Sequence, residues 1–254
     1  YSRIPSGLFS GDVRVRNCIY LLSSVGREKY TSCLHRWFSE QRTSLFTATI
    51  KYNHFDYSGV IPMLDSEFIQ SIYENKRGHN IAALEDNFNG NSLYYKKVGY
   101  NFLSVSNIIP NSFDSNGNPV EQTELGCIKL QTEYSKFIQL LSCGKLFLSK
   151  WLTYGDDFHL TVKDLTSFSF PFDEISITDK DVLESLYEDF CKNLPSTIQY
   201  KLNAGIKVGT FNTSTLWSIT DKSDMIFLSY LTDNPSMVHE TIENHIAKCV
   251  ISDK

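Results

Sequence analysis

The segment TEYSKFIQLLSCGKLFLSKWLTY (132–154) limits the possible folds more than any other part of this chain. Phe137, Leu140, Leu141, Leu148 and Trp151 recur at helical spacing and form a core stripe. Gly144 interrupts the stripe; an interior glycine costs a helix about 1 kcal/mol relative to alanine, or else marks a break. Four other segments read as helices. DSEFIQSIYENKR (65–77) sets Phe68, Ile69, Ile72 and Tyr73 at helical spacing, with Asp65 or Ser66 as its cap. TDKDVLESLYEDFCKNLP (178–195) is amphipathic, carries an acidic face and is stopped by Pro195. TDKSDMIFLSYLT (220–232) and SMVHETIENHIAKCV (236–250) form a closing pair around the Asn234-Pro235 turn. In REKYTSCLHRWFSEQR (27–42), Tyr30, Leu34, Trp37 and Phe38 share one side, so a helix is expected there too.

Strand signals lie between these helices. CIYLL (18–22) is apolar enough for a buried strand, and TATIKY (47–52) is rich in small and β-branched residues. SLYYKKVGYNFLSVSNI (92–108) reads as paired aromatic strands turning near Gly99, and GCIKLQ (126–131) as a further strand. FSFPFDEI (168–175) is extended, with Pro171 suited to an edge or a strand end. PNSFDSNGNP (110–119) is a loop of turn formers. The change from this extended stretch to an acidic helix places a boundary near 172–178, and no internal repeat is visible.

With 254 residues the chain can bury a real core, as one large or two small domains. No apolar run reaches the ~18 residues of a membrane helix, and no signal-peptide pattern opens the chain. A chain that starts at Tyr1 without methionine is expected to be an excised or processed fragment. The six cysteines (18, 33, 127, 143, 191 and 249) form no Cys-x-x-Cys pair and are expected to be reduced, mostly buried thiols of a cytoplasmic protein. The net charge of −5 is unevenly spread. Residues 1–60 hold eight basic against four acidic residues, 61–172 nine against twelve, and 173–254 seven against thirteen. A cationic end on an acidic chain suits either a solvated surface or a contact with phosphates, because local field rather than total charge governs that contact.

Three patches, RIPSGLFSGDVRVRN (3–17), YTSCLHRWFSEQRTSLF (30–46) and DDFHLTVKDLTSFSFP (156–171), together resemble a known family. They are similar to the segment after the catalytic core of bacterial adenine-N6 DNA methyltransferases of restriction-modification type, including methyltransferase-endonuclease fusions. GTFNTSTLWSITDKSDMIFLSYL (209–231) is similar to a later part of that family, with its Gly-x-(Phe/Tyr)-Asn turn and Thr-Asp-x-x-Asp. Segments 55–92 and 104–125 match nothing in it. The resemblance implies a junction to a catalytic domain in 1–60, a target-recognition region in 61–175 and a helical region in 176–254. It implies an α+β architecture, a mixed or antiparallel sheet with packed helices like a target-recognition domain. The implied partners are double-stranded DNA and an N-terminal methyltransferase domain that uses S-adenosylmethionine, with no membrane partner. That chemistry is expected outside this chain. Such enzymes hold the flipped adenine with an Asn-Pro-Pro-Tyr-like motif, and no two prolines here are adjacent. Their methyl-donor pocket needs a glycine-rich turn, and no Gly-x-Gly occurs. No catalytic residue, no cofactor of its own and no metal ligand is therefore assigned to the chain. A protein-interaction module, docking a partner subunit through the acidic helix 178–195, is the alternative class.

Two basic clusters come with the resemblance. Arg3, Arg14 and Arg16 form the first; alternation sets Arg14 and Arg16 on one strand face, ready for phosphates or for an acidic neighbour. Arg36, Trp37 and Arg42 form the second, with Lys51 and Tyr52 downstream; Trp37 and Phe46 read as core, and Arg42 as the phosphate or interdomain contact. Tyr94, Tyr95, Lys96 and Lys97 combine rings that stack on bases with charges that neutralise phosphates, or else form an ordinary strand with one face buried. Asn87, Asn89, Asn91 and Asn101 stand nearby as possible base readers. Asp156, Asp157 and His159 are expected to make structural hydrogen bonds. His239, His245 and Cys249 read as a satisfied surface group, since only His245 and Cys249 share a helical face.

Overall fold

A computed structural model describes residues 28–36, 49–56, 59–99 and 101–249, together with Cys18, Ile19, Leu21, Gly26, Thr43 and Thr47. Arg3, Arg14, Arg16, Arg42, Trp37 and Phe46 lie outside the described residues.

The fold is α+β, with helices at its centre. The stripe over 132–154 is divided at Gly144, whose extended backbone (φ −80°, ψ 167°) ends one helix and begins the next. In chain order the described strands and helices are β1 (Tyr30–Thr31), β2 (Asn53–His54), α1 (Phe68–Tyr73), β3 (His79–Asn80), β4 (Asn91–Lys96), β5 (Val105–Ser106), β6 (Ser112–Phe113), β7 (Pro119–Val120), β8 (Leu125–Leu130), α2 (Thr132–Cys143), α3 (Lys145–Tyr154), α4 (Val162–Thr166), β9 (Ser169–Phe170), α5 (Ile177–Asn193), β10 (Ile198–Asn203), β11 (Ile206–Phe211), α6 (Trp217–Ser229) and α7 (Pro235–Cys249). Phe137, Leu140, Leu141, Leu148 and Trp151 are all buried, as the stripe requires. α2 packs on α3, α5 and α6; α3 packs on α6 and α7. One hydrophobic cluster runs from Leu34 to Cys249 and crosses the 172–178 stretch without interruption.

Among the described residues the strands form four small antiparallel sheets. Their strand orders are β1-β2, β3-β9, β5-β4-β8 and β10-β11-β6-β7. The expected pairing within 92–108 is present as β4 against β5, and the expected strand near 126–131 is β8. Segment 110–119 is more ordered than a loop. β6 and β7 flank a tight turn in which the Asp114 carboxylate accepts from the backbone N–H of Asn116 and Asn118, each at 2.8 Å. The acidic helix at 178–195 is α5; Ser176 caps it, accepting from Asp179 N at 3.1 Å.

Several expectations are corrected. Segment 27–42 is not helical where it is described: Tyr30 and Thr31 pair with His54 and Asn53, and 32–36 is irregular. Strand pairing with a distant segment overrides the helical spacing. The strand expected over 47–52 begins only at Asn53. In CIYLL, Ile19 and Leu21 are exposed and in no strand, so the described part is not buried. α1 has neither expected cap; Glu67 precedes it without capping it, its carboxylate accepting instead from His54 N at 2.8 Å, and Asp65 grips Lys248 at 2.8 Å. The thiols are free but not mostly buried: Cys143 and Cys249 are buried, Cys33 and Cys191 half-buried, Cys18 and Cys127 exposed.

Candidate functional site

Strand alternation settles which of the 94–97 side chains face outward. Leu93 and Tyr95 are buried beneath β4, while Tyr94 and Lys96 lie on its other face. Tyr95 packs so closely on Gly126 of β8 that a Cβ there would overlap its ring. Tyr95 is therefore removed from the set of base-stacking candidates, because its ring belongs to the core. Tyr94 forms part of the wall of a cleft of about 400 Å³ whose lining includes Asn111, Ser112, Pro119, Gln122 and Cys127. Gln122 braces the cleft by donating to the carbonyls of Pro110 and Gly209, both at 2.8 Å.

Lys96 extends from the same face of β4 to the β10–β11 ribbon, where its ammonium donates to Thr210 Oγ1 at 3.0 Å. Register places Thr210 opposite Gln199, and on that ribbon face Lys201 and Asn203 follow by alternation. Burial lowers the Lys96 pKa, the charge of Lys201 lowers it further, and Glu124 opposes them. Asn203 donates to Glu124 at 2.9 Å. On the opposite ribbon face Lys207 lies 4.7 Å from the Tyr200 ring centre, and Tyr200 packs on Phe113. The ribbon tip turns through Ala204 (φ 48°) and Gly205 (φ 83°), and Leu202 beside it is 79% exposed.

Of the residues predicted for this surface, the structure brings Tyr94 and Lys96 together, with Lys97 exposed next to them. Lys51 is engaged elsewhere, donating to the Asp65 carbonyl at 3.4 Å. Asn91 is tied to Ser135 Oγ at 3.0 Å. Sequence reasoning missed Lys201, Asn203, Tyr200 and Lys207. Their segment alternates well enough for two strands, but Ala204-Gly205 lacks the Asn-Gly or Asp-Gly signal of a tight hairpin.

A second cluster lies among helices. Asp224 is fully buried in α6, and its Oδ2 accepts from Leu146 N at 3.0 Å, capping α3. Burial pushes its pKa up to about 7, against the pull of that backbone hydrogen bond. Asp221, one turn earlier, accepts from Lys145 at 2.9 Å, and Lys145 also donates to Glu243 of α7 at 2.7 Å. His239 of α7 approaches Asp221 Oδ1 with Nε2 at 3.6 Å. The expected surface grouping of His239, His245 and Cys249 is corrected: His245 and Cys249 are fully buried, and His239 joins the two aspartates of α6. Helix crossing, invisible in a one-dimensional spacing, makes that grouping. The Asp156 turn is built of local bonds, to Phe158 N at 2.9 Å and to His159 Nδ1 at 2.6 Å.

Comparison of the chain with protein-family models, with curated proteins and with solved structures finds no match in any of the three. Among the described residues, no helix is long and apolar enough to cross a membrane.

Proposed function

We propose that this chain reads double-stranded DNA sequence-specifically, as the target-recognition portion of an S-adenosylmethionine-dependent adenine-N6 DNA methyltransferase of restriction-modification type. The observation that carries the reading is the placement of Lys96 and Lys201 on one face of the β10–β11 ribbon, with Lys96 sharing the outer face of β4 with Tyr94. Two ammonium groups that repel each other gain from a phosphate between them. The exposed β10–β11 ribbon supports the reading further, because a two-stranded ribbon fits the major groove. Asn203 and Asn111 supply polar groups at its edge and in the cleft for base contacts.

The test is fluorescence anisotropy with a pool of random-sequence duplexes, followed by selection. Duplex binding weakens steeply as salt rises, and selection enriches one short site. Lys96→Gln with Lys201→Gln lowers the salt slope by about one for each lysine that meets a phosphate. Lys207→Gln, on the other ribbon face, has a smaller effect. Absence of duplex binding at low salt sinks the reading. It would favour partner docking through the acidic face of α5, where Ile177 and Val182 are exposed.

A further inference from the structure

We propose that Asp221, Asp224 and His239 bind a divalent transition-metal ion that ties α3, α6 and α7 together. Each of the three residues offers one ligand atom, and these atoms lie within 4.8 Å of one another. Asp221 Oδ1, Asp224 Oδ1 and His239 Nε2 are all buried, and none makes a hydrogen bond among the described residues. A fully buried carboxylate oxygen without a donor is costly. Asp221 Oδ1 and His239 Nε2 stand 3.6 Å apart, too far for a good hydrogen bond, and Asp224 of the same cluster adds a third unpaired atom, so one shared ligand would satisfy all three.

The surroundings fit a cation of charge two. Three carboxylates, from Asp221, Asp224 and Glu243, face one ammonium, that of Lys145. With the imidazole neutral, as a metal ligand must be, the cluster lacks two positive charges. The second oxygen of each aspartate is already held. Asp221 Oδ2 accepts from Lys145, and Asp224 Oδ2 from the amide of Leu146. These outer contacts orient the inner oxygens, as second-layer partners do in metal sites. One imidazole and two carboxylates form a hard to borderline donor set, suited to zinc or manganese and unsuited to copper(I). Asp221 and Asp224 are three apart on α6 and so share its face. Side-chain exposure of 30% at Asp221 and 14% at His239 leaves an entry path and room for water as the remaining ligand. The ion's task is structural, and it holds whether or not the β-ribbon meets DNA.

The experiment uses the full chain, stripped with chelator and titrated calorimetrically with Zn2+ and with Mn2+. One equivalent of each is expected to bind, with zinc the tighter, and each raises Tm. His239→Gln and Asp221→Asn, both at partly exposed positions, are expected to weaken binding at least tenfold while leaving the chelated protein folded. Asp224→Asn keeps the cap on Leu146 and is expected to weaken binding by a similar factor. Mn2+ binding guards against thiol capture, because six free cysteines compete for zinc but poorly for manganese. Failure of both ions to bind stoichiometrically overturns the proposal. So does Mn2+ binding that is unchanged in His239→Gln and Asp221→Asn.

Discussion

Two ionisable side chains sit where water does not reach, and each sets a sign for how stability responds to pH. His245 is fully buried at the end of a chain of hydroxyls: Tyr73 donates to Ser149 at 2.5 Å, and Ser149 Oγ lies 2.7 Å from His245 Nδ1. Burial pushes its pKa down to about 4. The unfolded chain therefore binds the proton first, and stability falls as pH drops from the ordinary histidine value of about 6.5 toward 4. Chemical denaturation at pH 7 and pH 4 should show the wild type losing about 3 kcal/mol more than His245→Gln. Equal losses would mean that the ring takes its proton without cost. Lys150 is the cationic counterpart, buried against Phe147 and Phe168 with its Nζ 2.8 Å from Ser167 Oγ. Burial lowers its pKa to about 8, so its charge is a burden on the fold at neutral pH. Lys150→Met is expected to leave stability unchanged or to raise it by up to about 3 kcal/mol in urea titrations at pH 7. A clear loss would show that the Ser167 contact and the two rings outweigh desolvation. At this scale, alternation along 92–97 was legible: it separates Tyr95 from Lys96 once the buried face is known. The partners of Asp65 and His239 were not legible, because each comes from another helix: Lys248 of α7 for Asp65, and Asp221 of α6 for His239.

At the scale of elements, the helical stripe is legible in the sequence and a break at Gly144 is one of the two readings it allows, but the use of that break is hidden. Gly144 has ordinary extended φ and ψ, so conformational freedom is not its reason for being there. Its Cα lies against the Asp224 carboxylate, and any Cβ would collide with it. Gly144→Ala is expected to cost about 1–3 kcal/mol, the usual range for overpacking, measured as a drop in denaturation midpoint at constant slope. The ribbon was missed for the opposite reason. Ala204 adopts a left-handed conformation that alanine disfavours by about 1–2 kcal/mol, so local sequence argued against a turn that tertiary structure imposes. Ala204→Asn creates the Asn-Gly pair that this turn prefers and is expected to raise stability by about 1 kcal/mol. No gain in Tm would mean that the ribbon is already held by β6 and by Lys96. The helix expected at 27–42 is absent over the described residues 28–36 for a related reason: Tyr30–Thr31 finds a strand partner at Asn53–His54, and spacing alone does not report that contact.

At the scale of the whole molecule, a single apolar cluster joins α2 and α3 to α5, α6 and α7. The buried faces of the last three helices rest on α2 and α3, which lie before the 172–178 stretch. A fragment of residues 173–254 is thus expected to lack a cooperative thermal transition, whereas the full chain unfolds in one step by circular dichroism and fluorescence alike. An independent transition in the fragment would divide the molecule there. The α+β class followed from alternating and helical segments, but the sheet orders did not, since β11 joins β6 across nearly a hundred residues. One consequence of those orders concerns solubility. β10 lies at the outer border of its four-stranded sheet, so one side of its backbone has no neighbouring strand among the described residues. Such a border invites a second copy to zip on, and a lysine placed along it is a common safeguard. Lys201 lies along that border, so the charge proposed to meet a nucleic-acid backbone is also placed to discourage pairing between identical chains.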